Sequence, residues 1–123
     1  MTIAIFGTGG HAKSIYDIVK RKKIYFFDNS KKKFKISNKT FEVIGDYKKM
    51  LVYKKKISKV IIAIGNNKIR ESYYKYFKKN KFKFSAIVHP RSYFGIGVEI
   101  GEGTVLMPGS IVNTDSFIGN NCI

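Results

Sequence analysis

One cysteine, two histidines and three arginines are all that the 123-residue chain holds of those residue types. The lone Cys122 cannot close an internal disulfide, so the fold has to rest on its core. No apolar run approaches the length of a membrane span. Met1 to Phe6 is short and apolar but leads straight into Gly7, with no basic leader and no cleavage-like site, and reads as no signal peptide. These absences make a cytoplasmic location the expectation. No Ser/His/Asp constellation, no paired carboxylates and no cluster of metal ligands is visible, so neither hydrolytic nor metal chemistry is expected.

Acidic residues are scarce too: 8 against 24 basic ones, a formal charge of +16. That balance raises the question of nucleic acid. Two features argue against sequence-specific binding. Apart from Arg21, Arg70 and Arg91, every basic residue is lysine, which lacks the bidentate fork that reads bases. The charge is also uneven. Before position 88 stand 23 basic and 5 acidic residues, a net of +18; after it stand only Arg91 against Glu99, Glu102 and Asp115. The asymmetry marks a boundary between two kinds of structure. A positive field that gathers an anionic small molecule fits the first part better.

What is present is a clear alternation of elements. Thr2 to Phe6 is a β-branched and apolar run that predicts a buried parallel strand. Gly7-Thr8-Gly9-Gly10 is a tight loop, and Ala12, Ile15, Ile18 and Val19 then recur at helical spacing up to about Arg21. Ile24 to Phe27 predicts a second strand with Asp28 at its end, which completes a βαβ unit. Residues 30 to 40 are polar and lysine-rich and read as a surface excursion with little order of its own. Phe41 to Ile44 is a candidate short strand, and Asp46 a candidate cap for a helix through Met50 and Leu51. Ser58 to Ile64 is the clearest strand. A helix follows from about Lys68 to Lys79 with Ile69, Tyr73, Tyr76 and Phe77 on one side, and then a last strand from Phe82 to Val88. The order implies a parallel sheet with helices on both faces.

From Val88 the period becomes six. Val88, Phe94, Ile100, Leu106, Val112 and Ile118 are large and apolar; Ser92, Val98, Thr104, Ser110, Ser116 and Cys122 are small or β-branched. Period six is the signature of hexapeptide repeats, three to a coil of a parallel β-helix. The large residue is expected inside the prism and the small one near its corner, with Asn113 and Asp115 at a corner where left-handed backbone is tolerated. Cys122 then reads as packing, and His89 as shaping the lead-in to the coils. The fold class is therefore α/β: a Rossmann-like parallel sheet domain over 1–87, then two coils of hexapeptide β-helix over 88–123.

Gly7-x-Gly9-x-x-Ala12 lies where a dinucleotide fingerprint should lie, between first strand and first helix. Gly7 permits the turn; Gly9 and Gly10 let backbone approach a phosphate at the helix start. Asp28, about twenty residues on, is placed to accept a hydrogen bond from a ribose hydroxyl. His11, in the first helical turn, is a candidate donor to a phosphate or sugar oxygen. Gly65-Asn66-Asn67 closes the third long strand on the same sheet edge; an asparagine there can simply cap the next helix, while Gly65 can admit a ligand.

Four stretches together, GTGGHAKSIYDIV at 7–19, FFDN at 26–29, IIAIGNNKIR at 61–70 and IVHP at 87–90 with the hexapeptides behind it, resemble the bacterial sialic acid and bacillosamine-type sugar acetyltransferases, the NeuD/PglD-like family. The resemblance covers essentially the whole chain. It implies a homotrimer with an N-terminal nucleotide-sugar domain and a left-handed β-helix. By motif, Gly9, Gly10, His11, Asp28, Asn29 and Gly65 would bind the nucleotide part of a UDP-sugar or related substrate. Asn29 departs from the second acidic residue often found there. Acetyl-CoA would be the co-substrate, held between neighbouring β-helices. The family's general base is a histidine in a later coil, beyond Ile123, so the resemblance implies a truncated form that does not transfer acetyl groups alone. Three other readings compete: a non-catalytic UDP-sugar-binding module, a nicotinamide-nucleotide-binding fragment, and a nonspecific nucleic-acid binder.

Overall fold

The computed structural model describes residues 1–123. Strand β1 (Thr2–Phe6) runs parallel between β2 (Lys23–Phe27) and β5 (Lys59–Ile62), in the order β2-β1-β5. Side chains of these strands alternate between two cores, as pleating requires. Ile3, Ile5, Phe26 and Ile61 join α1 (Gly10–Val19), which contributes Ala12, Ile15 and Val19. Ala4, Phe6, Phe27, Val60 and Ile62 join the opposite layer, with Met50 of α2 (Tyr47–Tyr53) and Phe77 of α3 (Asn67–Lys79). A sheet buried on both faces needs continuous apolar strands, which is why IAIF and KVII carry almost no polar residue. Phe6, Phe27 and Phe77 are fully buried, each stabilising the fold by about 1.5–3 kcal/mol through burial.

Two of the three α-helices are capped by the residue before them. Asp46 accepts a hydrogen bond from Lys49 N at 2.9 Å, and Asn66 accepts one from Ile69 N at 3.0 Å. Helix α1 begins after Gly9 with no side-chain cap and no acidic residue in its first turn. No helix is long and apolar enough to cross a membrane.

The lysine-rich stretch is not a loose excursion. Residues Lys33–Ile36 (β3) and Lys39–Glu42 (β4) form an antiparallel hairpin turned at Ser37, where φ is +53°. Its alternation was masked by lysine on the exposed positions. Phe34 is buried, and Phe34 and Phe41 pack on Phe26 with ring centroids 4.8 and 5.2 Å away. The expected last strand, Phe82 to Val88, also departs from expectation. Phe84 makes one bridge to Val60, and Ile87–Val88 (β6) pairs elsewhere. Lys81 at φ +61° and the turn behind α3 leave only a short extended approach to the sheet edge.

The hexapeptide region consists of two-residue strands: β6, then Tyr93–Phe94 (β7), Glu99–Ile100 (β8), Val105–Leu106 (β9), Ile111–Val112 (β10) and Phe117–Ile118 (β11). They pair in parallel at one spacing: Ile87 with Val105, Tyr93 with Ile111, Glu99 with Phe117. Thr104 and Leu106 are buried between them. Ile87 and Val105 turn the other way, into the same core as α1, so the repeats are anchored on the α1 side of the sheet. Asp115 and Asn121 take positive φ at corners and lie over Gly97 and Gly103, which take φ +76° and +73° themselves.

Candidate functional site

The C-terminal ends of β1, β2 and β5 meet at one edge of the sheet, the place where open α/β sheets take ligands. Gly7 N donates to Phe27 O at 2.8 Å and Ala63 N to Phe6 O at 2.7 Å, which prolongs the ladder into the loops. Gly7 is required there by the fold: its φ is +107°, and a Cβ would stand 2.6 Å from the Ala63 carbonyl oxygen. Gly9, Gly10 and Gly65 differ. None has positive φ, and a Cβ on any of them would meet no atom within 4 Å. Their lack of a side chain leaves backbone open to solvent space rather than relieving a clash.

Asp28 ties this edge together. Thr8 donates to its Oδ2 at 2.7 Å, while Ser30 N, Ser30 Oγ and Lys31 N donate to Oδ1 at 2.9, 3.1 and 3.2 Å. Burial works to raise its pKa, but these four hydrogen bonds outweigh it and hold the carboxyl below its ordinary value. Asp28 is therefore an anion at neutral pH that joins the glycine loop to the end of β2. Asn29 is committed otherwise: its Oδ1 accepts from Tyr47 N at 3.2 Å, and its Nδ2 donates to Tyr73 Oη at 2.6 Å. Gly9, Asp28, Asn29, Ile64, Gly65 and Tyr73 line a cavity of about 470 Å³.

His11 faces a different space. A larger cavity of about 840 Å³ lies between the start of α3 and the last repeat, lined by His11, Gly65, Arg70, Tyr74, Asn120 and Cys122. Gly65 borders both cavities. His11 is half-buried, and its Nε2 has no hydrogen-bond partner. Burial, and then the charge of Arg70, hold its pKa below 6.5, so the ring is neutral at pH 7. A histidine with a lowered folded-state pKa contributes stability above its ordinary pKa and loses it as pH falls through the lowered value. The urea midpoint is accordingly expected to fall between about pH 7.5 and about pH 5, and His11→Asn to flatten that slope. Equal slopes for both proteins would contradict this environment for His11.

Arg70, Tyr74, Asn120 and Asn121 were not apparent from residue patterns. The sequence signal for Arg70 was slight: one of three arginines, five positions after Gly65. Burial first, then Glu102, push the Tyr74 phenol up to about 12, so it remains a donor. Cys122, expected to pack in a corner, is exposed on the cavity rim. His89 accepts from Arg91 N at Nδ1, 3.0 Å, within the lead-in to the repeats and away from both cavities. No group of three His, Cys, Asp or Glu residues is placed to hold a metal.

Residues 2–77 match the family model described as the PglD N-terminal domain. The chain belongs to that family. It is 31% identical over 111 residues to the UDP-N-acetylbacillosamine N-acetyltransferase of Bacillus subtilis (strain 168), a stretch covering 85% of this chain and 50% of the relative. Among solved structures it resembles a mutant perosamine N-acetyltransferase from Caulobacter crescentus in complex with CoA and GDP-perosamine. That likeness has a TM-score of 0.87 and 25% identity, over 98% of this chain and 58% of the other. The acetyltransferase domain of PglB from Neisseria gonorrhoeae FA1090 shares the fold at TM-score 0.84 and 24% identity, over 98% and 60% of the two chains. The PglD N-terminal family member described here thus spans about half the length of the curated relative it matches.

Proposed function

We propose that this chain recognises the nucleotide half of a nucleotide sugar, as part of an acetyl-CoA-dependent sugar N-acetyltransferase. The observation that carries the reading is the uncapped start of α1, with open backbone at Gly9 and Gly10, and Gly9 lining one cavity together with the ionised Asp28. First-turn amides without protein partners, and the positive end of the helix dipole, suit the phosphates. Asp28 keeps acceptor capacity for a ribose hydroxyl. Ile64 and Tyr73, which also line that cavity, would supply apolar contact to a base. Asn29, held by Tyr47 N and Tyr73, keeps one Nδ2 hydrogen and one Oδ1 lone pair for a ligand. Past Gly65, the sugar would enter the larger cavity, beside the half-buried ring of His11.

In the transfer itself the acceptor amine attacks the thioester carbonyl of acetyl-CoA, the CoA thiolate leaves, and a general base takes the amine proton. Neither His89, held in the lead-in to the repeats, nor His11 is assigned that base; residues 1–123 alone are expected to bind nucleotide without transferring acetyl. The repeats pair three hexapeptides apart, which supports a coil of three repeats; that this β-helix is left-handed and closes a homotrimer is part of the proposal. Exposed Tyr93, Ile96, Ile111 and Phe117 suit burial against neighbouring copies, with acetyl-CoA between them. A cytoplasmic setting goes with that co-substrate.

Calorimetric titration of the purified chain with UDP, GDP and NADH tests the proposal. Saturable binding of UDP or GDP is expected. Binding of NADH with no binding of either nucleoside diphosphate would replace the reading with a nicotinamide site. Association with RNA that vanishes steeply with salt, and none with mononucleotides, would replace it with nonspecific polyanion binding.

A further inference from the structure

Helix α3 meets the repeats along one stripe, Arg70, Tyr74 and Lys78, spaced four residues apart so that they share a face. Tyr74 donates to Glu102 at 2.7 Å, Lys78 pairs with the same carboxylate oxygen at 2.7 Å, and Asn120 Nδ2 approaches Tyr74 Oη at 3.4 Å. Arg70, at the top of the stripe, is only 8% exposed. Its Nε donates to the Asn121 carbonyl at 2.9 Å. Its Nη1 donates to the carbonyls of Ile64 and Gly65 at 2.9 and 3.0 Å, and its Nη2 to Asn67 Oδ1 at 2.7 Å.

Every one of those acceptors is an amide oxygen; no carboxylate pairs with Arg70. Burying a cation without an anion opposes folding, and a cation near a helix N-terminus opposes the helix dipole. The residue is thus poorly explained as a stabiliser of α3. What the planar fork does is fix two places at once. It holds the carbonyls of Ile64 and of Gly65, the residue that borders both cavities, and it holds a corner of the last repeat where Asn121 has φ +55° and a buried Oδ1 with no partner. A lysine cannot reproduce that fork.

We propose that Arg70 is a positioning residue that sets the distance between the nucleotide rim and the repeats, so that the sugar of a bound nucleotide sugar meets Asn120–Cys122 in one fixed geometry. It rests on the nucleotide-sugar reading above. The Tyr74–Glu102–Lys78 contacts keep the repeats attached when Arg70 is altered, so variants should fold.

The test uses Arg70→Gln and Arg70→Lys in the full chain. Affinities are measured for UDP and UDP-N-acetylglucosamine, or for GDP and GDP-mannose, whichever nucleotide the chain binds. Amide hydrogen exchange is followed at residues 119–123. In both variants the nucleoside diphosphate affinity is expected to change by less than about threefold, while the extra affinity from the sugar falls by about tenfold or disappears. Exchange at Asn121 and Cys122, whose amides are bonded to Glu102 O and Thr104 Oγ1, is expected to quicken by about tenfold. Should Arg70→Gln fail to fold, Asn67→Ala, which frees only the Nη2 brace, is expected to show the same split at about twofold to threefold. Full restoration by Arg70→Lys would overturn the proposal, since charge alone would then suffice. Equal loss of both ligands would also overturn it, placing Arg70 in nucleotide binding only. If the unaltered chain binds no nucleotide, the functional reading fails, and exchange alone decides the positioning role: unchanged rates in Arg70→Gln would refute it.

Discussion

Valine in place of Gly9 is expected to weaken UDP or GDP binding by roughly 100-fold, about 2.7 kcal/mol, while the protein stays folded. Gly9 precedes α1 in extended backbone, φ −86° and ψ −164°, a region valine adopts without strain. A Cβ there would meet no protein atom within 4 Å beyond its chain neighbours, so the core gives no reason for glycine. The cost to folding is limited to a poorer helix start, roughly 1 kcal/mol or less. The new side chain would instead project where a phosphate has to approach the first-turn amides. The same logic extends to Gly10, whose surroundings are equally open. Calorimetry and thermal melting on one preparation separate the two effects. Unchanged titration curves for Gly9→Val would remove the phosphate from this loop.

Gly7→Ala is expected to do the opposite. Two residues upstream, the methyl group would lie 2.6 Å from a backbone oxygen that cannot swing away, at φ +107°, outside every region open to an L-residue. Strain and displacement together are expected to cost about 3 kcal/mol or more. For a domain of this size that lowers the melting temperature by roughly 10 °C. The Gly7 amide is bonded to Phe27 O and the neighbouring Ala63 amide to Phe6 O, so the disturbance would run into both neighbours of β1. A melting temperature within about 2 °C of the unaltered chain would show that the turn is softer than its geometry implies. The pair distinguishes a glycine that the fold needs from one that leaves room for a ligand, inside a single four-residue loop.

Much of this architecture was legible in the residues because it depends on short-range pattern. The IAIF run and the glycine after it could only be a buried strand and a turn, and both caps, Asp46 and Asn66, stand where helix starts need acceptors. Period six from Val88 onward located strands that pair at three repeats' distance. The hairpin at 33–42 was obscured because its solvent face carries lysine, so only Phe34, Ile36 and Phe41 mark the alternation. Phe82 to Val88 looked like a strand because its apolar residues do alternate; Phe82 and Phe84 are buried, but Ile87 is claimed by the repeats.

The site was less legible, for a definite physical reason. Gly9, Asp28 and Gly65 converge because they end three adjacent strands, which topology predicts. Arg70 was hidden because its partners are mostly main-chain carbonyls, which leave no trace in the identities of Ile64, Gly65 and Asn121. The surroundings of His11 and Asn29 were not legible in the sequence. One turns toward the repeats, and the other is held by Tyr47 and Tyr73.

The central claim is that nucleotide is recognised at the ends of β1, β2 and β5, and amide NMR during a UDP or GDP titration tests it most directly. The account predicts saturable shifts largest at Gly9, Gly10, His11, Asp28 and Gly65, with little change at Tyr93, Ile111 and Phe117. Absence of saturation, or shifts confined to the lysines of the 33–42 hairpin and erased by moderate salt, would contradict it.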